Sequence, residues 1–95
     1  MQRTYLVTQK HIDRAKVYGN SDTNPVALAI RSVIRRPTFV DQVGTGSYNT
    51  SQGKYRTFTV DKKTVQFLSR FYEGKLVKPM VVTITMDVVN GWVKR

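Results

Sequence analysis

A chain of 95 residues with 16 Lys and Arg against six Asp and Glu carries a net charge of +10 and contains no cysteine. These figures exclude a disulfide framework or a thiolate metal site, and a chain this short makes one basic domain, residues 1–95, with a core just large enough to fold unaided. With 40% hydrophobic and 11% aromatic residues, the composition is that of a folded domain and excludes wholesale disorder.

Residues 5–7, Tyr-Leu-Val, form a short strand candidate. Thr8 then caps a first helix over residues 9–18, its hydroxyl accepting an unpaired N–H of the first turn. Ile12, Ala15 and Val17 mark the apolar stripe of that helix, and Gly19 its stop. A stronger second helix opens with Asn24 at the N-cap and Pro25 at the first helical position. Val26, Ala27, Ile30, Val33 and Ile34 share one face of it, and Pro37 sets its end by disfavouring helical backbone at Arg36. Residues 38–43 are β-branched and aromatic and predict a strand. Residues 44–54, with three glycines, predict a loop, and residues 55–60 predict the strand that closes an open hairpin.

Asp61 caps a third helix over residues 62–73, with Val65, Leu68 and Tyr72 on one face, Phe67 and Phe71 widening it, and Gly74 as its stop. After Pro79, Met80, Val82, Ile84, Met86 and Val88 alternate with Val81, Thr83, Thr85 and Asp87, a strand with one apolar face. Asn90-Gly91 is a two-residue turn signal, and Trp92-Val93 predicts a brief return strand. The order β-α-α-β-β-α-β predicts an α+β domain: a three- to four-stranded, mostly antiparallel sheet with helices on one face.

The residues of acid–base and nucleophilic chemistry are sparse. There is one His, no Cys and one Glu. His11 and Asp13 stand two apart on a helix and do not face each other. His11, Asp13 and Asp22 lack the spacing of a metal set, and Asp41, Asp61, Glu73 and Asp87 are scattered over separate elements. We therefore expect no enzyme, no cofactor and no metal. Gly44-Thr45-Gly46 is half of a phosphate-loop pattern without the helix that should follow, and reads as a hairpin tip. No apolar run reaches the roughly 18 residues of a membrane span, and residues 1–7 are too short for a secretory signal. A cytoplasmic protein without membrane partners is expected, and the Asn49-Thr50-Ser51 sequon is read as accidental.

The basic residues carry the signal. The net charge is +3 over residues 1–20, +1 over 21–53 and +6 over 54–95. Arg31 and Arg35 stand one turn apart on the second helix, with Arg36 beside them. Lys62 and Lys63 occupy the first turn of the third helix, where the macrodipole disfavours cations by about 0.3–1 kcal/mol each. That placement makes sense if an anion comes to the helix end, and Gln66 and Arg70 extend the stripe. Lys54 and Arg56, interleaved with Tyr48 and Tyr55, form a second patch beside the glycine-rich loop. Its rings can stack on unpaired bases or anchor a protein partner, and Tyr55 can equally pack in the sheet. A basic stripe on an amphipathic helix is also, in the plainer reading, a solvated face. The partner classes are nucleic acid, bound mainly through its backbone with strong salt dependence, or an acidic protein surface.

Read in order, Thr8-Gln9-Lys10-His11-Ile12, Pro25-Val26-Ala27-Leu28-Ala29 and Phe67-Leu68-Ser69-Arg70-Phe71-Tyr72-Glu73-Gly74 followed by Val77-Lys78-Pro79-Met80 resemble a group of small uncharacterised phage and mobile-element proteins, mainly actinobacterial. The likeness runs from about residue 7 to residue 86. It implies a phage-type accessory protein acting in the cytoplasm of a host cell, and no particular activity. Members of that group often carry a Cys pair before the second motif and acidic residues around the segment ending at Pro79. Ser21 and Asn24, and Lys75 and Lys78, stand there in this chain. The expected roles are binding of nucleic acid or a nucleoprotein, host takeover or anti-defence inhibition through an acidic host protein, or a minor virion or assembly component.

Overall fold

A computed structural model describes residues 2–15, 19–50, 53–86 and the backbone of 92–94. The chain runs β1 (Gln2–Val7), α1 (Gln9–Arg14), α2 (Pro25–Ile34), β2 (Thr38–Val40), β3 (Thr45–Asn49), β4 (Lys54–Val60), α3 (Lys62–Tyr72), β5 (Met80–Met86) and β6 (Trp92–Lys94). The expected α+β class is observed, with a larger sheet: five strands in the order β1-β5-β4-β3-β2, every pair antiparallel, and β6 paired with β4.

Two strand expectations change. Residues 45–49 are a strand, so β2, β3 and β4 form a meander in place of an open hairpin. Gly46 is the reason the segment reads as a loop and behaves as a strand: it stands opposite Phe58, and a Cβ there would lie 2.4 Å from the Phe58 ring and 2.7 Å from the Phe39 carbonyl oxygen. The glycine makes room for an aromatic ring in the core. At the other end, β6 does not return along β5. Arg56 pairs with Trp92 while Phe58 pairs with Met86, so β6 continues on the same side of β4 where β5 leaves off. The Asn90-Gly91 turn, Asp87, Val88, Val17 and Ser51 lie outside the described residues.

Strand alternation divides the sheet into two faces. Tyr5, Val7, Val40, Phe58, Val82, Ile84 and Met86 are buried on the inner face against α2 and α3. The helix α2 packs on both edge strands, β1 and β2. Its buried residues are Pro25, Val26, Ala27, Ala29 and Ile30. Val33, expected in the core, is 66% exposed, while its neighbour Ile34 packs partly buried against the core. That helix also ends earlier than Pro37 requires: Arg35 is the C-cap, in the left-handed region at φ 60° and ψ 37°, its N–H donating to the Arg31 carbonyl at 2.7 Å.

In α3 the buried stripe is Thr64, Phe67, Leu68 and Phe71, an i, i+3, i+4, i+7 set, with Val65 and Tyr72 half-buried at its margins. Gly74 ends it in a Schellman motif: its N–H donates to the Phe71 carbonyl at 3.0 Å and that of Lys75 to the Arg70 carbonyl at 3.0 Å. The outward-pointing residues of β1–β5 are, by register, an uncharged set rich in Thr, including Thr57, Thr59, Thr83 and Thr85.

Candidate functional site

The helix α1 has only six residues and no buried one, too little to persist by propensity alone. It is held at its start by a capping box. The Thr8 hydroxyl accepts from the His11 N–H at 3.4 Å, and the His11 Nδ1 accepts from the Thr8 N–H at 3.0 Å. At its end, Ala15 is extended, so the helix stops at Arg14 and not at residue 18. The box accounts for the lone histidine structurally, as the neutral tautomer with the proton on Nε2.

This anchoring sets Lys10, His11 and Arg14 of α1 across from Arg31 and the C-cap Arg35 of α2. Together with Leu28 and Ser32 they line a groove of about 580 Å³. Every ionisable residue lining it is basic. Asp13 lies on the other side of α1, lining a different hollow, and accepts from Gln9 Nε2 at 2.9 Å. Like charges at i, i+4 are destabilising by about 0.2–0.5 kcal/mol per pair, and both Lys10/Arg14 and Arg31/Arg35 have that spacing. Arg14 and Arg31 lie in the last turns of their helices, where the macrodipole offsets part of the repulsion. Arg35 adds a left-handed backbone that costs a non-glycine residue about 1 kcal/mol or more.

Burial, together with the charges of Arg14 and Lys10, lowers the His11 pKa below its ordinary value of 6.5. The folded state therefore binds the proton less readily than the unfolded state. The stabilisation is complete above the unfolded value and is lost as pH falls through the folded one, since a protonated Nδ1 cannot accept from Thr8. An NMR titration of the ring should give a midpoint below 6.5, with the Thr8 amide resonance moving in step. A midpoint above 6.5 would contradict the box.

The other sequence-predicted residues fall in several places. Arg36 is exposed between α2 and β2. Lys54 and Arg56 are half-buried in β4, and Tyr48 in β3, so Tyr48 and Lys54 stand in strands and not in the loop expected over residues 44–54. Tyr48 points inward: its ring lies 6.3 Å from that of Phe58, and its hydroxyl donates to Met86 Sδ at 3.5 Å. Tyr55 points the opposite way, onto the outer face, opposite Asn49.

Lys62 and Lys63 are exposed at the start of α3, but an acid stands with them. The Asp61 carboxylate accepts from Thr64 Oγ1 and from the Thr83 N–H at 3.3 Å, tying the helix to β5. Lys63 and Arg70 come together with Lys78 in a second groove of about 370 Å³, and Arg70 Nη2 donates to the Leu76 carbonyl at 3.3 Å. Glu73 pairs with Lys75 at 3.2 Å, and that contact, with Ser69, holds its carboxyl below the usual range. For Asp41, burial acts to raise the pKa, but hydrogen bonds from Thr45, Val43 and Gly44 outweigh it and the pKa is lowered.

Sequence reasoning missed Lys10 and Arg14. Their i, i+4 spacing on a capped helix is visible in the sequence, but only the packing of α1 on α2 brings them to Arg31 and Arg35. Among the described residues, no group of three or more His, Asp or Glu could hold a metal ion, and no helix is long and apolar enough to cross a membrane. No protein-family model matches the chain, and no match was found among curated proteins or solved structures.

Proposed function

We propose that this protein is a non-enzymatic accessory protein, of the phage type its sequence resembles, that binds nucleic acid through the sugar–phosphate backbone. The observation that supports this reading is the groove between α1 and α2, where Lys10, Arg14, Arg31 and Arg35 converge without an acid in the lining. An anion seated there relieves the repulsion among the four cations. Arg35 occupies a left-handed position at which glycine is favoured, and an anionic ligand gives a side chain there a purpose. Cations alone read phosphate and not base edges, so sequence preference is weak.

Neutralising four phosphates on a duplex gives a slope of about −3.6 for log affinity against log salt. Affinity for generic duplex DNA should then fall by about a hundredfold between roughly 50 and 200 mM salt. Fluorescence anisotropy with a labelled duplex measures this. No binding at about 50 mM salt would contradict the proposal and leave the acidic-protein partner as the reading to pursue.

A further inference from the structure

The outer face of the sheet is covered by neither α2 nor α3, and in a chain of net charge +10 the outward-pointing residues of β1–β5 carry no charge at all. On this face Phe39 of β2 and Tyr55 of β4 flank a hollow of about 590 Å³, with Ser47, Thr57 and Thr59 between them. That volume is within the range of small-molecule and cofactor sites. No Lys or Arg lines it. Its one acid, Asp41, is fully engaged: Oδ1 accepts from the Val43 and Thr45 N–H groups at 3.1 Å and Oδ2 from Thr45 Oγ1 at 2.6 Å. Two aromatic rings, hydroxyls and a carboxylate admit a neutral ring system bearing polar edges, and repel phosphate.

The hollow also lies a short stretch of chain from the basic groove. Arg35 lines the groove and Phe39 lines the hollow. Arg36, Pro37 and Thr38 lie between them, and the four chain steps from Arg35 to Phe39 span at most about 14 Å. Exposed Arg36 lies on the way, and β2 is the edge strand of the sheet, so the path rounds an edge and crosses no strand.

We infer that the hollow between Phe39 and Tyr55 receives unpaired nucleobases, so that the preferred ligand is single-stranded: phosphates follow the groove and Arg36, and the bases turn onto the uncharged sheet face. This rests on the nucleic-acid reading above and specifies its substrate. Stacking on an aromatic side chain needs an unpaired base and tolerates any sequence, which agrees with a site that has rings and hydroxyls but few fixed polar partners.

The test compares a short labelled single-stranded oligodeoxynucleotide with the duplex of the same sequence at one salt concentration. Tyr55→Ala should weaken single-strand binding about tenfold and leave duplex binding nearly unchanged, and Tyr55→Trp should restore the single-strand affinity. Thr57→Glu, a change at a half-buried position that sets a negative charge in the hollow, should have the same selective effect, while the retained duplex binding shows that both variants are folded. An unchanged single-strand to duplex ratio in Tyr55→Ala and Thr57→Glu would overturn the inference while leaving the basic groove intact. A wild-type dimer that Thr57→Glu converts to monomer, with the ratio unchanged, would assign the face to a second copy and also overturn it. Failure of the wild-type protein to bind either oligonucleotide would overturn both readings.

Discussion

Asn24→Ala is expected to destabilise the domain by about 3 kcal/mol, lowering the thermal midpoint by about 15 °C. The side chain is fully buried and every polar atom on it is used. Its Oδ1 accepts from the Ala27 N–H at 2.8 Å, capping α2. Its Nδ2 donates to the Ser21 carbonyl at 3.1 Å, the Val40 carbonyl at 2.7 Å and the Tyr72 hydroxyl at 3.1 Å. One amide therefore ties the start of α2 to β2 and to the end of α3. Alanine removes the cap, worth about 1 kcal/mol, and takes the amide donor from the buried Val40 carbonyl and from the Tyr72 hydroxyl, at about 1–3 kcal/mol. Asn24→Ser, which caps about as well but has no amide to reach Val40 and Tyr72, should recover only the cap. A loss below about 0.5 kcal/mol for Asn24→Ala, the range of ordinary surface changes, in chemical denaturation would contradict the hub. Two of the groove cations, Arg31 and the C-cap Arg35, ride on α2, so this position also sets where they stand.

Much of the fold is legible in the sequence, and the failures have identifiable causes. The Asn24-Pro25 start of α2, the Thr8 cap, the alternation in β5 and the Gly74 stop are local signals, and all are observed. Residues 45–49 read as loop because glycine and polar residues dominate them, and only the ring of Phe58 on the neighbouring strand explains Gly46. Of the expected apolar face of α3, Phe67, Leu68 and Phe71 are buried, but Thr64 joins them while Val65 and Tyr72 stand half-buried at the margins, because a Thr whose hydroxyl bonds Asp61 can be buried as readily as Val.

The candidate site divides the same way. Arg31 and Arg35 are paired by spacing within one segment, but the grouping with Lys10 and Arg14 is tertiary. Tyr48 and Tyr55 look alike in sequence, yet strand parity sends one ring into the core and the other to the outer face. Nothing short of the strand register distinguishes them.

The largest functional effect is expected from reversing the groove's charge. Arg31 and Arg35 are exposed, so Arg31→Glu with Arg35→Glu should leave the core packing as it is. The change removes two of the four groove cations and sets two carboxylates in their place. Losing two phosphate contacts and gaining two repulsions should weaken binding by at least about a hundredfold at roughly 100 mM salt. Arg3→Glu, on β1 and outside the groove lining, changes the net charge by the same amount per residue and should cost far less. Comparable losses at Arg3 would mean that total charge, and not the groove, drives association.

The most direct measurement is the salt dependence of duplex affinity for the wild-type protein and for Arg31→Gln/Arg35→Gln, a neutral pair that introduces no repulsion. If the α1–α2 groove seats the phosphate backbone, the wild-type slope of log affinity against log salt is about −3.6 and the variant's is shallower by about 1.8. Equal slopes for the two proteins would show that Arg31 and Arg35 neutralise no phosphate, and would contradict the account.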